Sequence, residues 1–398
     1  MKNLGSNRST IRELFEFGKK LKAEVGEENV FDFSLGNPSV EPPLVLSEEI
    51  VSLVRDTNPT YLHGYTSAEG DIAVRTAISD YIKSEFGAVC SPSFIYMTAG
   101  AAAALTSTLG ALTNPGESVI VLAPYFPEYK VFIERGGAEV IPVECREGDF
   151  SPDLERIEAA IDGRCAAVII NSPNNPTGAV YSEDDIRGLA AVLERKSEEY
   201  GKPIYLISDE PYRELVYGGA CVPYVPNYYK NTVVCYSYSK SLSIPGERIG
   251  YVFVSPLADG AEDVFKAVCG AGRALGYVCA PSLLQRLVSR LTGKTSDVSV
   301  YEANRNTLLS ALTSYGYNVV PPSGAFYLFI KAPGGDARAF SEAAKSFGLL
   351  LVPSDDFGCK GYVRLAYCQS PDMIKRSLPR FSELIEKYKE QDFKNERP

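Results

Sequence analysis

The chain has 398 residues, 45% hydrophobic and 23% charged, with a formal net charge of −10, so it is long enough for two cores and lacks the clustered Lys and Arg that a nucleic-acid partner requires. No stretch of about 18 uncharged apolar residues marks a membrane span, and Met1–Ser6 lacks the apolar core of a signal peptide, so the expected location is the cytoplasm. Nine scattered cysteines without a CxxC pair fit reduced core thiols, and a single histidine, His63, disfavours Ser-His-Asp hydrolysis and histidine-rich metal sites.

From residue 94 to 254 short β-rich runs alternate with longer helical ones, the pattern of βαβ units and a mostly parallel sheet. The expected strands are Phe94–Met97, Ser118–Leu122, Glu139–Val143, Ala166–Asn171, Ile204–Ser208, Thr232–Tyr236 and Ile249–Val254, with helices between them such as Ala101–Leu112 and Glu183–Tyr200. Beyond residue 290 the rhythm changes to a long helix, a strand at Tyr327–Ile330, a helix near Ala337–Phe347, a strand at Tyr362–Tyr367 and a terminal helix. The fold class expected is α/β: a large domain, 50–290, with a mostly parallel seven-stranded sheet between helices, and a smaller α+β domain from the two chain ends, 1–49 and 291–398. Glu390–Pro398 reads as a frayed polar end.

Ligands of open α/β sheets sit at the carboxyl ends of the strands, so the residues just after each strand are the informative ones. After the first comes Thr98-Ala99-Gly100-Ala101-Ala102, a glycine opening an alanine-rich helix; it is either a buried core helix or a helix N-terminus aimed at an anion. After the second, Pro124-Tyr125-Phe126-Pro127 brings aromatic rings that either pack internally or cover a flat ligand ring. After the fourth, Asn171-Ser172-Pro173-Asn174-Asn175-Pro176-Thr177-Gly178 is a turn-rich loop that also presents amides. After the fifth, Asp209 in Ser208-Asp209-Glu210-Pro211-Tyr212 is either a helix cap or a counter-ion for a protonated ring nitrogen. After the sixth, Lys240 and Arg248 lie in Ser237-Tyr238-Ser239-Lys240-Ser241-Leu242-Ser243-Ile244-Pro245-Gly246-Glu247-Arg248-Ile249-Gly250, an amine kept between buried strands for covalent chemistry beside a phosphate. With one histidine available, Lys240 is also the obvious proton-transfer group. Arg364 interrupts the apolar strand Tyr362–Tyr367 and wants a carboxylate, from the protein or from a ligand.

Together these residues resemble the class I and II aminotransferases, fold type I enzymes that depend on pyridoxal 5′-phosphate. The run from Ser237 to Gly250 matches that family's lysine-site pattern at every restricted position, and the remaining motifs follow in the family's order over roughly residues 31 to 368. The resemblance implies that Lys240 forms a Schiff base with the cofactor and shuttles the Cα proton, that Asp209 pairs with the pyridine nitrogen, and that Tyr212 and Asn175 hydrogen-bond the phenolic oxygen. It assigns ring stacking to Phe126 and the phosphate to Gly100, Ala101, Ala102, Ser237, Ser239, Arg248 and Tyr65. Tyr65 would come from a neighbouring subunit, which implies a homodimer with shared active sites. Many relatives carry a polar side chain where this chain has Ala102, which leaves Ser239 or Thr98 to compensate. Arg364, Gly36 and Asn175 would receive the substrate α-carboxylate, and Arg273 is the candidate reader of a distal carboxylate, with a surface or interface arginine as the alternative.

The reaction so implied is a ping-pong transfer of an amino group between an L-amino acid and a 2-oxo acid, with aspartate or a broad set of donors. A carbon–sulfur β-lyase shares the same cofactor site and differs only in what leaves Cβ. The effector-sensing domain of a transcription regulator is a third use of this fold, disfavoured because the family motifs begin by about residue 31.

Overall fold

The computed structural model describes residues 4–5 and 10–395. Its strands are β1 (Phe31–Asp32), β2 (Ile95–Thr98), β3 (Ser118–Ala123), β4 (Glu139–Glu144), β5 (Cys165–Asn171), β6 (Tyr205–Glu210), β7 (Thr232–Ser237), β8 (Gly250–Val254), β9 (Val319–Val320), β10 (Tyr327–Lys331), β11 (Leu349–Leu350), β12 (Val352–Pro353) and β13 (Tyr362–Ala366). The strands expected from sequence lie within two residues of these bounds, and the helices Ala101–Leu112 and Glu183–Tyr200 coincide with the reading. The second is sharply bounded. Ser182 and Asp185 form a capping box at its start, and Gly201 ends it at φ +64, a conformation that favours glycine.

Seven strands form one sheet in the order β2-β8-β7-β6-β5-β3-β4. β3 to β7 pair in parallel, whereas β8 is antiparallel to both its neighbours. The β7–β8 connection has no long crossover helix, so the chain turns back on itself at the carboxyl edge and leaves the Lys240 loop there. Register then aligns the functional residues. Gly250 stands opposite Thr98 on one side and Ser237 on the other, and Asn171, Asp209 and Cys235 form a row across β5, β6 and β7. Strands β3, β5, β6, β7 and β8 are buried throughout, as a sheet covered by helices on both faces requires.

The second layer is an antiparallel sheet, β12-β13-β10-β9, with β1 paired in parallel to β11. Phe31, Phe33, Phe326, Phe340, Leu365 and Phe381 share its core, so residues from both chain ends close one apolar cluster. The helices Leu44–Asp56 and Ile72–Phe86 and the two-residue strands were not anticipated from sequence. The terminal helix Pro371–Asn395 runs on into the end expected to fray; residues 396–398, like Met1–Asn3 at the start, lie outside the described residues.

Candidate active site

The cleft at the carboxyl edge is lined by Ala101, Ala102, Phe126, Asn171, Asn175 and Asp209, and on its other wall by Tyr212, Ser237, Ser239, Lys240 and Arg248. One end is an anion cradle. The helix Ala101–Leu112 starts at Gly100, φ +82, with no side-chain cap, so its first N–H groups have no partner within the helix. A Cβ at Gly100 would stand 2.6 Å from Arg248 Nη2, and one at Gly250 would stand 2.3 Å from the Tyr236 carbonyl oxygen. Backbone and guanidinium close up here only because both positions are glycine. Arg248 Nη1 donates to Pro245 O at 3.0 Å and, more loosely, to Ser239 Oγ at 3.5 Å. Ser237 Oγ donates to Ser239 Oγ at 2.8 Å. Of the two hydroxyls expected to compensate for Ala102, Ser239 lines the cleft, whereas Thr98 donates to Gly100 O.

Asp209 is buried at the end of β6. Its Oδ2 accepts from Tyr129 Oη at 2.5 Å, whereas Oδ1 has no hydrogen-bond partner. Burial pushes its pKa up to about 7, against the opposing Tyr129 hydrogen bond, because an unpaired carboxylate is costly away from water. Asp209 is a strand residue in the described structure and caps no helix. Lys240 sits on the four-residue helix Tyr238–Ser241, started by the Ser237 hydroxyl accepting from Ser239 N–H. Its Nζ donates to Gly36 O at 2.7 Å. Burial lowers its pKa to about 8, with Arg248 and Arg364 pushing the same way, so a substantial share of the amine is neutral near physiological pH. Tyr212 Oη lies 2.9 Å from Tyr327 Oη. Phe126 faces the cleft; Tyr125 packs instead against Gly358.

Arg364 is buried on β13, with Nη1 donating to Asn175 Oδ1 at 3.0 Å and Nη2 to Ser34 O at 2.6 Å; its Nε has no partner. The carboxylate partner expected of it is not supplied by the protein among the described residues, since its hydrogen bonds go to an amide and a carbonyl. Burial lowers its pKa; a guanidinium nevertheless stays charged. Gly36 lies against Tyr327, where a Cβ would stand 2.2 Å from Tyr327 Oη.

Two expected residues are elsewhere. Tyr65 is 92% exposed and does not line the cleft of its own chain. Arg273 is exposed in the last turn of the helix Ala261–Ala274 and is absent from the lining of its own chain's cleft. Sequence reasoning missed Tyr129, Tyr327, Asn171 and Ser34 as contributors. Asn171 holds the loop in place, its Nδ2 donating to Asp209 O and its Oδ1 accepting from Asn175 N; its position as the last residue of an apolar strand was the available signal. Nothing local distinguishes Tyr129 or Tyr327.

A buried carboxylate with one free oxygen, a depressed lysine and an anion cradle at one sheet edge fit pyridoxal 5′-phosphate: Asp209 Oδ1 for its ring nitrogen, Lys240 for its aldehyde, the cradle for its phosphate. The fold and site are those of a pyridoxal-phosphate-dependent transferase. A match to the family "Aminotransferase class I and II" spans residues 28–381, and the chain belongs to that family. It is 30% identical to the aspartate aminotransferase of Thermotoga maritima, over 94% of this chain and 97% of that one. A crystal structure titled as an amino transferase from Eubacterium rectale has 51% identity and TM-score 0.96, covering 98% of each chain. The aspartate aminotransferase of Thermus thermophilus with maleate has 27% identity and TM-score 0.85, covering 96% of this chain and 99% of that one. The protein is an aminotransferase that depends on pyridoxal phosphate, and its substrates are those of the class, an amino acid and a 2-oxo acid.

Proposed function

We propose that Lys240, Asp209 and Tyr212 carry the chemistry and that Arg364 receives the α-carboxylate of both substrates, with aspartate as the leading donor. The observation that carries this reading is the pair of buried orphans, Asp209 Oδ1 and Arg364 Nε. Each is costly where it stands and each becomes satisfied by one end of a cofactor–substrate pair. When bound, the cofactor supplies an aldehyde for the amine and a sink for the electrons left at Cα. Asp209 keeps a proton on the ring nitrogen through Oδ1, with Tyr129 holding its other oxygen in place. The Arg364 fork orients the substrate, with the NH2 of Asn175 and the backbone of Gly36 beside it. Lys240 Nζ, once free, would take the proton from Cα and pass it to the carbon that bore the cofactor's aldehyde within the same half-reaction, so that the amine stays behind when the 2-oxo acid leaves; the second half-reaction runs the same transfer backwards, and a lowered pKa suits both directions. Arg248, Ser237, Ser239 and the N–H groups of Ala101 and Ala102 hold the phosphate.

The protein works as a cytoplasmic homodimer in this reading, with Tyr65 completing the phosphate site of the partner. Support comes from the exposed apolar side chains Leu44, Val51, Val54, Tyr61 and Ile72, which precede and follow Tyr65 in the chain. The segments 1–49 and 291–398 form the substrate-side domain and 50–290 the cofactor domain. Among the described residues no helix is long and apolar enough to cross a membrane. Aspartate as donor rests on the names of the relatives, because Arg273 does not reach the cleft of its own chain.

A panel of amino donors added singly to the holoenzyme, followed by absorbance, tests the reading. Stoichiometric conversion to the amine form of the cofactor, fastest with aspartate, is expected. Steady release of pyruvate and ammonia would instead mark a carbon–sulfur β-lyase and overturn it.

A further inference from the structure

Tyr327, at the start of β10, touches several parts of the site, although no motif pointed to it. Its hydroxyl lies 2.9 Å from that of Tyr212. The Arg364 guanidinium carbon lies 4.7 Å from its ring centroid. Its hydroxyl also fills the space a side chain at position 36 would need, at 2.2 Å from an added Cβ, and the Gly36 carbonyl is the acceptor of Lys240 Nζ. One phenol from the four-stranded sheet therefore meets the phenolic-oxygen, carboxylate and lysine ends of the cleft.

A phenol that stays neutral carries one hydrogen. Burial holds Tyr327 up to about 12 and Tyr212 well above its usual value, so each hydroxyl keeps its proton across the working range. If Tyr212 donates its only hydrogen to the cofactor's phenolic oxygen, it must accept from Tyr327. The pair then becomes a directed chain, Tyr327 to Tyr212 to cofactor, in which each donation strengthens the next. The charged or ionisable groups facing the pair are Arg364, Asp209, Cys368 and, across Phe326, Lys240. Tyr327 cannot donate to either cation, and its hydroxyl lies 2.9 Å from that of Tyr212. Tyr212 is thus the partner available to it.

We propose that Tyr327 is a positioning residue that fixes the direction of the Tyr212 hydrogen bond and supports Arg364 from beneath, so that one side chain sets both the cofactor's electronics and the seat of the carboxylate. This rests on the reading of Tyr212 and Arg364 given above. The two functions separate by atom: the hydroxyl acts on the cofactor, the ring on the arginine.

The test is a pH titration of the absorbance of the holoenzyme, in which Lys240 and the cofactor form one chromophore, together with steady-state kinetics. A hydrogen bond to the phenolic oxygen favours the deprotonated chromophore, so removing it raises the midpoint. Tyr212→Phe is expected to raise it by about one pH unit, and Tyr327→Phe by a fraction of that, up to about 0.5 unit, with KM for the amino donor unchanged. In the Tyr212→Phe background, Tyr327→Phe adds nothing, because the chain is already cut. Tyr327→Leu, which also removes the ring, raises KM about 2- to 30-fold. Thermal melts of the apoproteins establish that the variants are folded. A midpoint shift for Tyr212→Phe with none for folded Tyr327→Phe overturns this inference alone, as does full additivity in the double variant. Absence of the chromophore in the wild type, or its indifference to Tyr212→Phe, overturns the reading of the site and this inference with it.

Discussion

On the seven-stranded side of the cleft, the groups singled out after the strands stand within four residues of a strand end: Gly100 after β2, Phe126 after β3, Asn175 after β5, Tyr212 after β6, Lys240 after β7. On the other side, Arg364 lies inside β13 and reaches Ser34, 330 residues away, and Asn175, 189 residues away. Ser34 in turn is held by Asp32, whose Oδ1 accepts from its N–H at 2.9 Å, at the point where β1 pairs with β11. The first wall is built from local turns on a rigid sheet edge; the second exists only once the two ends of the chain have met. Damage to the first should therefore show in the chemical step, and damage to the second in substrate affinity and in folding.

Lys240→Ala would break the first wall most severely. Turnover is expected to fall by at least about 10³-fold, and the lysine-dependent absorbance band to vanish while cofactor still binds through the cradle. Retention of a tenth of the activity would show that the amine is dispensable and remove the basis of the comparison. Asp209→Asn comes next, with kcat down about 10²- to 10³-fold and a signature in stability. The folded pKa of Asp209 is raised to about 7, so the folded apoprotein holds a proton there that the unfolded chain has released. This contribution is present at low pH and is lost as pH rises from about 4 to 7, amounting to at most roughly 4 kcal/mol. Urea melts of apoprotein at pH 5 and pH 8 should show Asn exceeding wild type by a clearly larger margin at the higher pH; a constant difference would mean that Asp209 is not buried as described.

Arg364→Ala sharpens the contrast from the second wall. Loss of the charge-assisted fork should lower kcat/KM about 10- to 100-fold for every α-amino acid donor, through KM more than kcat; a loss confined to kcat would place Arg364 in the chemistry instead. The smallest effect is expected of Gly36→Ala. The added methyl meets Tyr327 Oη at 2.2 Å, which should cost about 1–3 kcal/mol of stability and raise KM a few-fold. An unchanged KM would show that the Gly36 backbone does not face the substrate.

The large sheet was legible because most of its strands are buried on both faces and read as apolar runs between helices. Strands β1, β9, β11 and β12 were not, since two residues carry no periodicity, and the β1–β11 pairing joins the chain's two ends. Lys240, Asp209 and Arg248 were legible because charges beside buried strands are costly unless used. Tyr129 and Tyr327 look like the other core tyrosines in this tyrosine-rich chain, and only their hydroxyl partners separate them from packing residues. Arg273, by contrast, is exposed on its helix and does not line the cleft of its own chain.

By itself the sequence determined the strands of the large sheet and the helices between them, the lysine loop and the class of chemistry, because these depend on local pattern and on which residue types follow each strand. Only the tertiary structure decided which polar atoms remain without partners. Asp209 Oδ1 and Arg364 Nε are free because Tyr129, Asn175 and Ser34 satisfy their neighbours and stop there. Hydrogen-bond satisfaction is a property of the packed chain, settled by contacts between residues far apart in sequence, and no linear motif records it.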